Sequence, residues 1–155
     1  MPDGKKIDIS AIILTRDEEL NIKACLESIK DWADEIVIVD SNSTDKTLEI
    51  AKIYTGRIYQ HQYDGHPKQW QWVIDNIPIA NEWIFALDAD FIVTEELWRR
   101  LGQRMAKLDE RVYAFYVRHK QIFKGRPILH GGIYPNYWLR IFKKDKVKVD
   151  ESELV

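Results

Sequence analysis

Apolar residues are grouped along the first part of the chain in a way that predicts four buried strands. Positions 7–14, 36–39 and 83–87 are almost continuously apolar. A half-exposed strand would alternate apolar and polar residues, so these runs indicate strands that are covered on both faces. The shorter run 57–59 predicts one more strand, between the second and the last of these.

Helices are predicted between these strands, because apolar residues there recur at the spacing of one helix face. The first such set is Ile22, Cys25, Leu26 and Ile29. Further helices are predicted at 48–53, 67–77 and 94–108. Pro67 suits the first turn of one of them, and Thr94 is a candidate cap for another.

Strands that alternate with short helices predict an α/β fold, with a Rossmann-like, mostly parallel sheet flanked by helices. After Leu108 the pattern changes. Positions 112–119 and 138–142 are strand-like, with a turn at Lys124–Gly125 between them. We therefore expect one domain over residues 1–155, whose C-terminal half adds β-structure beside the parallel core.

Polar groups follow three of the four predicted strands. Thr15 and Arg16 end the first, Asp40 ends the second, and Asp88-Ala89-Asp90 ends the last. Ligands of such sheets bind beyond the carboxyl ends of the strands. Two carboxylates one residue apart suit Mg²⁺ or Mn²⁺, with the remaining oxygens from water and phosphates. Three acids at one edge also repel one another unless a positive group binds there.

The composition is that of a soluble globular protein. The chain has 155 residues, of which 45% are hydrophobic and 31% charged. Its one cysteine, Cys25, excludes an internal disulfide framework and a cysteine-based zinc site. The N-terminus lacks an apolar signal region, and no apolar run reaches the roughly 20 residues of a membrane span. We therefore expect a cytoplasmic protein.

The charge is unevenly distributed. Residues 1–98 hold 9 Lys/Arg against 19 Asp/Glu, and residues 99–148 hold 14 against 3. One interpretation of the basic part is a solvated helix face; the other is a surface for an anionic membrane or a phosphorylated acceptor. The chain lacks a recognisable nucleic-acid module, so we expect no nucleic-acid partner.

Four segments of the sequence, taken in order, resemble the inverting glycosyltransferases of family 2, which have the GT-A fold. These segments are 12–19 with Asn21, 37–47, 68–69 and 87–90. The closest likeness is to the bacterial branch that adds a sugar to lipopolysaccharide core or related surface glycans. That family often has Asn where this chain has Gln69 and Asp17. Neither departure removes a charged ligand.

The resemblance implies a metal-dependent hexosyltransferase that moves a sugar from a nucleotide-diphosphate donor, most commonly UDP, to a glycan or lipid-linked acceptor. Residues 7–108 would bind the nucleotide sugar, and 109–155 would face the acceptor. The implied donor-binding residues are Thr15, Arg16, Glu18, Asp40, Lys68 and Asp88. Asp90, with Asp88 as a second ligand, would hold Mg²⁺ or Mn²⁺ in this Asp-x-Asp (DXD) motif.

The resemblance also implies a general base that deprotonates the acceptor hydroxyl. The Arg-aromatic strand around 139–142 is similar to the approach to that base, which would fall at or just past Val155. We therefore expect the chain to be truncated at its C-terminus. By residue type, the candidates for this base are Asp150, Glu151 and Glu153. The alternative is that these three residues are solvated charges of the C-terminal tail.

Two other functions are open at this point. In a haloacid-dehalogenase-type phosphoryl-transfer enzyme the first Asp of the triplet would be a nucleophile. That motif needs a small hydroxyl residue or Val where Ile92 stands, and its nucleophile ends the first strand. The other alternative is a nucleotide-sugar-binding domain without turnover. The four histidines lack metal-ligand spacing, and we expect them to be structural or exposed: His61, His66, His119 and His130.

Overall fold

The computed structural model describes residues 6–131 and 134–149. Its first half alternates strands and helices as the sequence predicts. The strands are β1 (Ile7–Thr15), β2 (Ala33–Asp40), β3 (Ile58–Gln60) and β4 (Trp83–Asp88). The helices are α1 (Ile22–Glu27), α2 (Thr47–Ala51), α3 (His66–Asn76) and α4 (Glu95–Met105). The second half supplies β5 (Ala114–His119), β6 (Ile122–Phe123), β7 (Arg126–Pro127), β8 (Asn136–Lys143) and a 3₁₀ turn at Lys144–Lys146.

One six-stranded sheet carries the fold, in the order β3-β2-β1-β4-β8-β5. Strands β1 to β4 are parallel to one another. β8 pairs antiparallel with β4, and β5 pairs antiparallel with β8. The predicted α/β fold, with a mostly parallel sheet and β-structure added by the C-terminal half, is confirmed. Of the added strands, β8 and β5 continue the same sheet, and β6 and β7 pair with each other in a separate two-stranded hairpin.

Both faces of the sheet are packed, which explains why its strands are so continuously apolar. Ile9 and Ile13 of β1 pack on one face with Trp98 of α4. Ile12, between them, packs on the other face with Trp70 of α3. Alternate residues of one strand thus enter two different cores, and a polar residue on either face would be buried.

The helix termini follow the predicted signals, with small shifts. Thr94 caps α4, since its Oγ1 accepts a hydrogen bond from the Leu97 N–H at 3.3 Å. Pro67 lies in the first turn of α3. Ile29 is fully buried although α1 ends two residues earlier, because turns can present an apolar residue to the core as a helix does. Within the described ranges, no helix is long and apolar enough to cross a membrane.

Candidate functional site

A cleft of about 330 Å³ opens at the carboxyl ends of β1, β2 and β4. It lies where the order of a parallel sheet predicts a ligand site. Its wall consists of Leu14, Thr15, Arg16, Glu18, Ser41, Tyr63, His66, Gln69, Asp88 and Ala89. The structure therefore brings together four of the predicted donor-binding residues: Thr15, Arg16, Glu18 and Asp88.

The loops after β1 and β2 form this wall because they are tied to each other. The Asp17 N–H donates to Ser43 Oγ at 2.9 Å, and the Thr44 N–H donates back to Asp17 Oδ1 at 2.7 Å. The Glu18 N–H donates to Thr47 Oγ1 at 2.7 Å. Asp17 has a φ of 51°, a region that Asn and Asp adopt more readily than most residues. The presence of Asp at this position therefore has a structural reason.

Thr15 lies at the floor of the cleft and is 5% exposed. Its Oγ1 is buried and has no hydrogen-bond partner in the part of the chain that the structure describes. Buried hydroxyls are almost always hydrogen-bonded in native proteins. A polar ligand in the cleft would remove this deficit, which is an observation in favour of a bound nucleoside.

Asp40 is fully buried and does not belong to the cleft wall; its neighbour Ser41 does. Asp40 Oδ2 accepts hydrogen bonds from the Ser43 N–H at 3.0 Å and from Gln60 Nε2 at 3.3 Å. The Ser43 hydroxyl donates to Oδ1. The chain itself therefore supplies hydrogen-bond donors to this carboxylate. Its contact with a base or ribose stays a prediction.

Asp88 and Asp90 point into different surroundings. Asp88 is half-buried, and its Oδ2 lies 3.0 Å from a guanidinium nitrogen of Arg140. Ala89 is buried between the two acids, and its N–H is bound to the Leu14 carbonyl at 3.2 Å. Asp90 is exposed beside the cleft. The turn after β4 is thus fixed to β1, with one acid in the wall and the other toward solvent.

The described residues contain no cluster of three or more His, Cys, Asp or Glu side chains that would enclose a metal. At phosphate sites of Mg²⁺, protein commonly supplies only one or two oxygens. An exposed carboxylate on a fixed turn at the edge of the cleft fits such a cation, and Asp90 meets that description.

Cys25 lies beneath the acidic turn, and its thiol is 3.8 Å from the Asp88 carbonyl oxygen. Burial, with further contributions from the negative charges of Asp90 and Asp88, raises the pKa of the Cys25 thiol to about 12. The thiol is therefore neutral and unreactive at physiological pH. Both acids act on this one buried group, so both contribute to the negative potential of the same corner.

Lys68 lies outside the cleft wall. It is about half exposed and forms an ion pair with Asp64, one helical turn before it, at 2.8 Å. Its contact with the nucleotide stays a prediction. The next residue, Gln69, lines the cleft, is fully buried, and donates to Ser41 Oγ at 3.3 Å. Its Oε1 lies 2.7 Å from His61 Nδ1.

Three aromatic or histidine side chains near the cleft were not predicted as functional residues. Tyr63 and His66 line the cleft, on either side of Gly65, whose φ of 99° marks the sharp turn into α3. His119 stacks on Trp138, with ring centroids 4.7 Å apart. Burial first, and the charge of Arg140 second, lower the pKa of His119, while Asp90 and Asp88 oppose the shift. Gly65, directly before the start of α3, was the one local signal in the sequence for this part of the cleft wall.

The candidate bases Asp150, Glu151 and Glu153 lie outside the described residues. Strand β8, which leads toward them, is present as expected. The identity of the base stays a prediction.

The structure thus combines a mostly parallel sheet with a polar cleft at its carboxyl edge and an acidic residue, Asp88, in the cleft wall. The sequence model described as "Glycosyl transferase family 2" matches residues 10–154. The chain therefore belongs to glycosyl transferase family 2.

Several known proteins are similar to the chain. An "uncharacterized glycosyltransferase" of Rickettsia bellii is 32% identical over 108 residues, 70% of this chain and 36% of that protein. The lipopolysaccharide core biosynthesis glycosyltransferase LpsC of Rhizobium meliloti is 28% identical over 155 residues, 97% of this chain and 56% of LpsC. The chain thus spans about a third of the length of the first relative and just over half of the second.

The fold is also found in a solved structure, glucosyl-3-phosphoglycerate synthase of Mycobacterium tuberculosis in complex with uridine diphosphate. The TM-score is 0.56 with 19% identity, over 68% of this chain and 42% of that one. At this identity the likeness establishes the shared fold.

Proposed function

We propose that this chain is the donor-binding part of an inverting glycosyltransferase. It would transfer a sugar from a nucleotide-diphosphate donor to a glycan or lipid-linked acceptor, with the help of Mg²⁺ or Mn²⁺. The observation that carries the proposal is the cleft at the ends of β1, β2 and β4, with Asp88 in its wall and the exposed Asp90 two residues further along the same turn. Membership of family 2 supports the reaction class.

UDP is the nucleotide that we propose for the donor. The structural neighbour from Mycobacterium tuberculosis was crystallised with UDP. The cleft volume of about 330 Å³ falls within the range of roughly 300–1,000 Å³ that is typical of small-molecule sites. Thr15 offers a buried hydroxyl to the nucleoside, and the rings of Tyr63 and His66 offer flat surfaces beside it.

The divalent cation would be held by Asp90, with donor phosphates and water as its other ligands. When bound, such a cation stabilises the negative charge that develops on the departing nucleoside diphosphate. The chain's own part is to keep the acidic turn in place, through the Ala89–Leu14 hydrogen bond, and to position the nucleoside against β1 and β2. The base that deprotonates the acceptor is proposed among Asp150, Glu151, Glu153 and the residues that follow.

The acceptor that we propose is a bacterial surface glycan, in lipopolysaccharide or a related polysaccharide. The similarity to LpsC, which is named for lipopolysaccharide core biosynthesis, supports this choice. The phosphoryl-transfer alternative is wrong, because the chain belongs to family 2 and Asp88 ends the fourth strand, where it is paired with Arg140.

Isothermal titration calorimetry with UDP, in Mn²⁺ and in EDTA, tests the donor proposal. We expect micromolar binding in Mn²⁺ and binding at least about tenfold weaker in EDTA, because the cation links phosphate oxygens to Asp90. UMP, which lacks the diphosphate, is the matched control and should show little metal dependence. Equal affinity for UDP in Mn²⁺ and EDTA would contradict the metal role. A panel of nucleotide sugars, assayed for hydrolysis and transfer, then identifies the donor.

We also propose that the protein is cytoplasmic and contacts the inner face of the plasma membrane through the β6–β7 hairpin. Ile122 and Phe123 in this hairpin are 62% and 64% exposed. Its turn, Lys124–Gly125, has positive φ at both residues, as a tight two-residue hairpin requires. Residues 111–144 contain eight Lys/Arg and no Asp/Glu. Exposed apolar residues beside Lys124 and Arg126 complement an anionic lipid surface.

Phe123→Ser should weaken binding to vesicles that contain phosphatidylglycerol about tenfold, because an aromatic ring at the bilayer interface is lost. Co-sedimentation with such vesicles measures the effect, and added salt should reduce binding further. Ile53→Ser is the matched control, since Ile53 is 78% exposed but lies after α2, outside the basic stretch. Binding to phosphatidylcholine vesicles of equal strength, or an equal loss in both variants, would contradict the proposed surface.

A further inference from the structure

Arg140 connects the C-terminal half of the chain to the acidic corner of the cleft. It lies on β8, and its neighbour Ile141 pairs with Phe85 of β4. Its guanidinium reaches Asp88 Oδ2 at 3.0 Å, and its side chain is only 12% exposed, against 32% for Asp88. Asp88 lies in the wall of the cleft, and its ion pair with Arg140 is partly shielded from solvent.

Two aromatic rings hold this guanidinium in place. Its central carbon lies 4.7 Å from the ring centroid of Phe91 and 4.9 Å from that of Trp138. These are distances at which a cation is attracted to an aromatic face. His119 stacks on the same Trp138 ring. Residues from the loop after β4, from β5 and from β8 thus fix one arginine against one aspartate.

The pairing makes the two acids of the triplet chemically different. The charge of Asp88 is matched by a fixed guanidinium, so Asp88 attracts a second cation weakly but still accepts hydrogen bonds. Asp90 is exposed and keeps its attraction for a divalent cation. We propose that Arg140 is a positioning residue that reserves Asp88 for hydroxyl groups of the donor and leaves the metal to Asp90.

This inference rests on the proposed donor site, but its central test does not require a donor. Arg140→Gln removes the guanidinium and restores Asp88 as a candidate metal ligand. Mn²⁺ binding without nucleotide, measured by electron paramagnetic resonance, should then become about tenfold tighter. UDP affinity in saturating Mn²⁺ should fall by a similar factor, because the Asp88 carboxylate is no longer fixed.

A double-mutant cycle separates an effect through Asp88 from a general effect of charge. The four proteins are the wild type, Arg140→Gln, Asp88→Asn and the double variant. The long-range effect of removing the arginine charge is the same in both backgrounds and cancels in the cycle. We expect Arg140→Gln to tighten Mn²⁺ binding at least about threefold more in the wild-type background than in the Asp88→Asn background.

Arg140→Lys keeps the charge but lacks the planar fork that pairs with a carboxylate. It should leave Mn²⁺ affinity within about twofold of the wild type and restore part of the UDP affinity that Arg140→Gln loses. Thermal unfolding of every variant checks that each is folded. A purely structural arginine would lower stability without tightening Mn²⁺ binding, and that result would overturn the proposal.

Two further outcomes would also overturn it. One is that Arg140→Gln changes Mn²⁺ affinity equally in the wild-type and Asp88→Asn backgrounds. The other is an equal loss of UDP affinity in both backgrounds, which would mean that Arg140 contacts the diphosphate directly. If the wild type binds Mn²⁺ but no UDP, the donor proposal fails, whereas the double-mutant cycle on Mn²⁺ binding can still be interpreted.

Discussion

Asp90→Asn is expected to abolish the Mn²⁺-dependent part of UDP binding and to slow sugar transfer at least about a hundredfold. Asp90 is the exposed acid of the triplet, and its neighbour Asp88 is already paired with Arg140. An amide oxygen is a weaker ligand than a carboxylate for a hard divalent cation. Without the cation, negative charge on the departing diphosphate is uncompensated. Calorimetry with UDP and a transfer assay on the same preparation measure both effects.

Glu96→Gln is the matched control for this prediction. Glu96 is an exposed acid in the first turn of α4, where it pairs with Arg100 at 2.7 Å. The substitution removes one negative charge near the sheet but outside the cleft wall. It should change UDP affinity less than about twofold, as exposed ion pairs contribute little. If Asp90→Asn has no larger effect than Glu96→Gln, Asp90 is not the metal ligand.

The fold was predictable because its main signal is local. A strand such as β1, whose alternate residues enter two cores, must be apolar along its whole length, and such a run is visible in the sequence. The order of the strands is not local. Nothing in positions 136–143 indicates that β8 lies between β4 and β5, since that order depends on contacts between distant segments.

The cleft was predictable to the extent that strand ends define it. Thr15 and Asp88 lie at the carboxyl ends of their strands, so topology alone brings them together. Asp40 also ends a strand, but local hydrogen bonds from Ser43 turn its carboxylate inward. Such side-chain to backbone bonds depend on the turn that the chain adopts, which sequence patterns do not specify.

Three further residues show why contacts inside a helix or across a sheet cannot be predicted from sequence patterns. Lys68 and Gln69 are adjacent, but successive helical residues point about 100° apart. Gln69 therefore enters the cleft, while Lys68 pairs with Asp64 on the helix surface. Arg140 meets Asp88 only because β8 lies beside β4.

Glu35 is a buried acid that the sequence pattern did not reveal, and it lies at the opposite end of β2 from Asp40. It is 7% exposed and is paired with Arg57. Its carboxylate also accepts hydrogen bonds from the Ser10 hydroxyl and from the Ala80 N–H. Three separate segments, β1, the approach to β3 and the loop before β4, thus meet at one carboxylate. This arrangement stabilises the end of the sheet opposite the cleft.

Glu35→Ala should lower the free energy of unfolding by about 3 kcal/mol, because it leaves a partly buried arginine and two donors without their acceptor. Urea unfolding measures the loss. Glu27→Ala is the control: Glu27 pairs with Lys30 at 2.6 Å, but both are more than 40% exposed, so the loss should be much smaller than that of Glu35→Ala. UDP affinity of the folded Glu35→Ala protein should match the wild type, because Glu35 lies several residues from the cleft along β2. If UDP affinity falls by more than the loss of stability explains, the two ends of the sheet are energetically coupled. Equal stability losses in the two variants would show that the Glu35 network contributes no more than a surface ion pair.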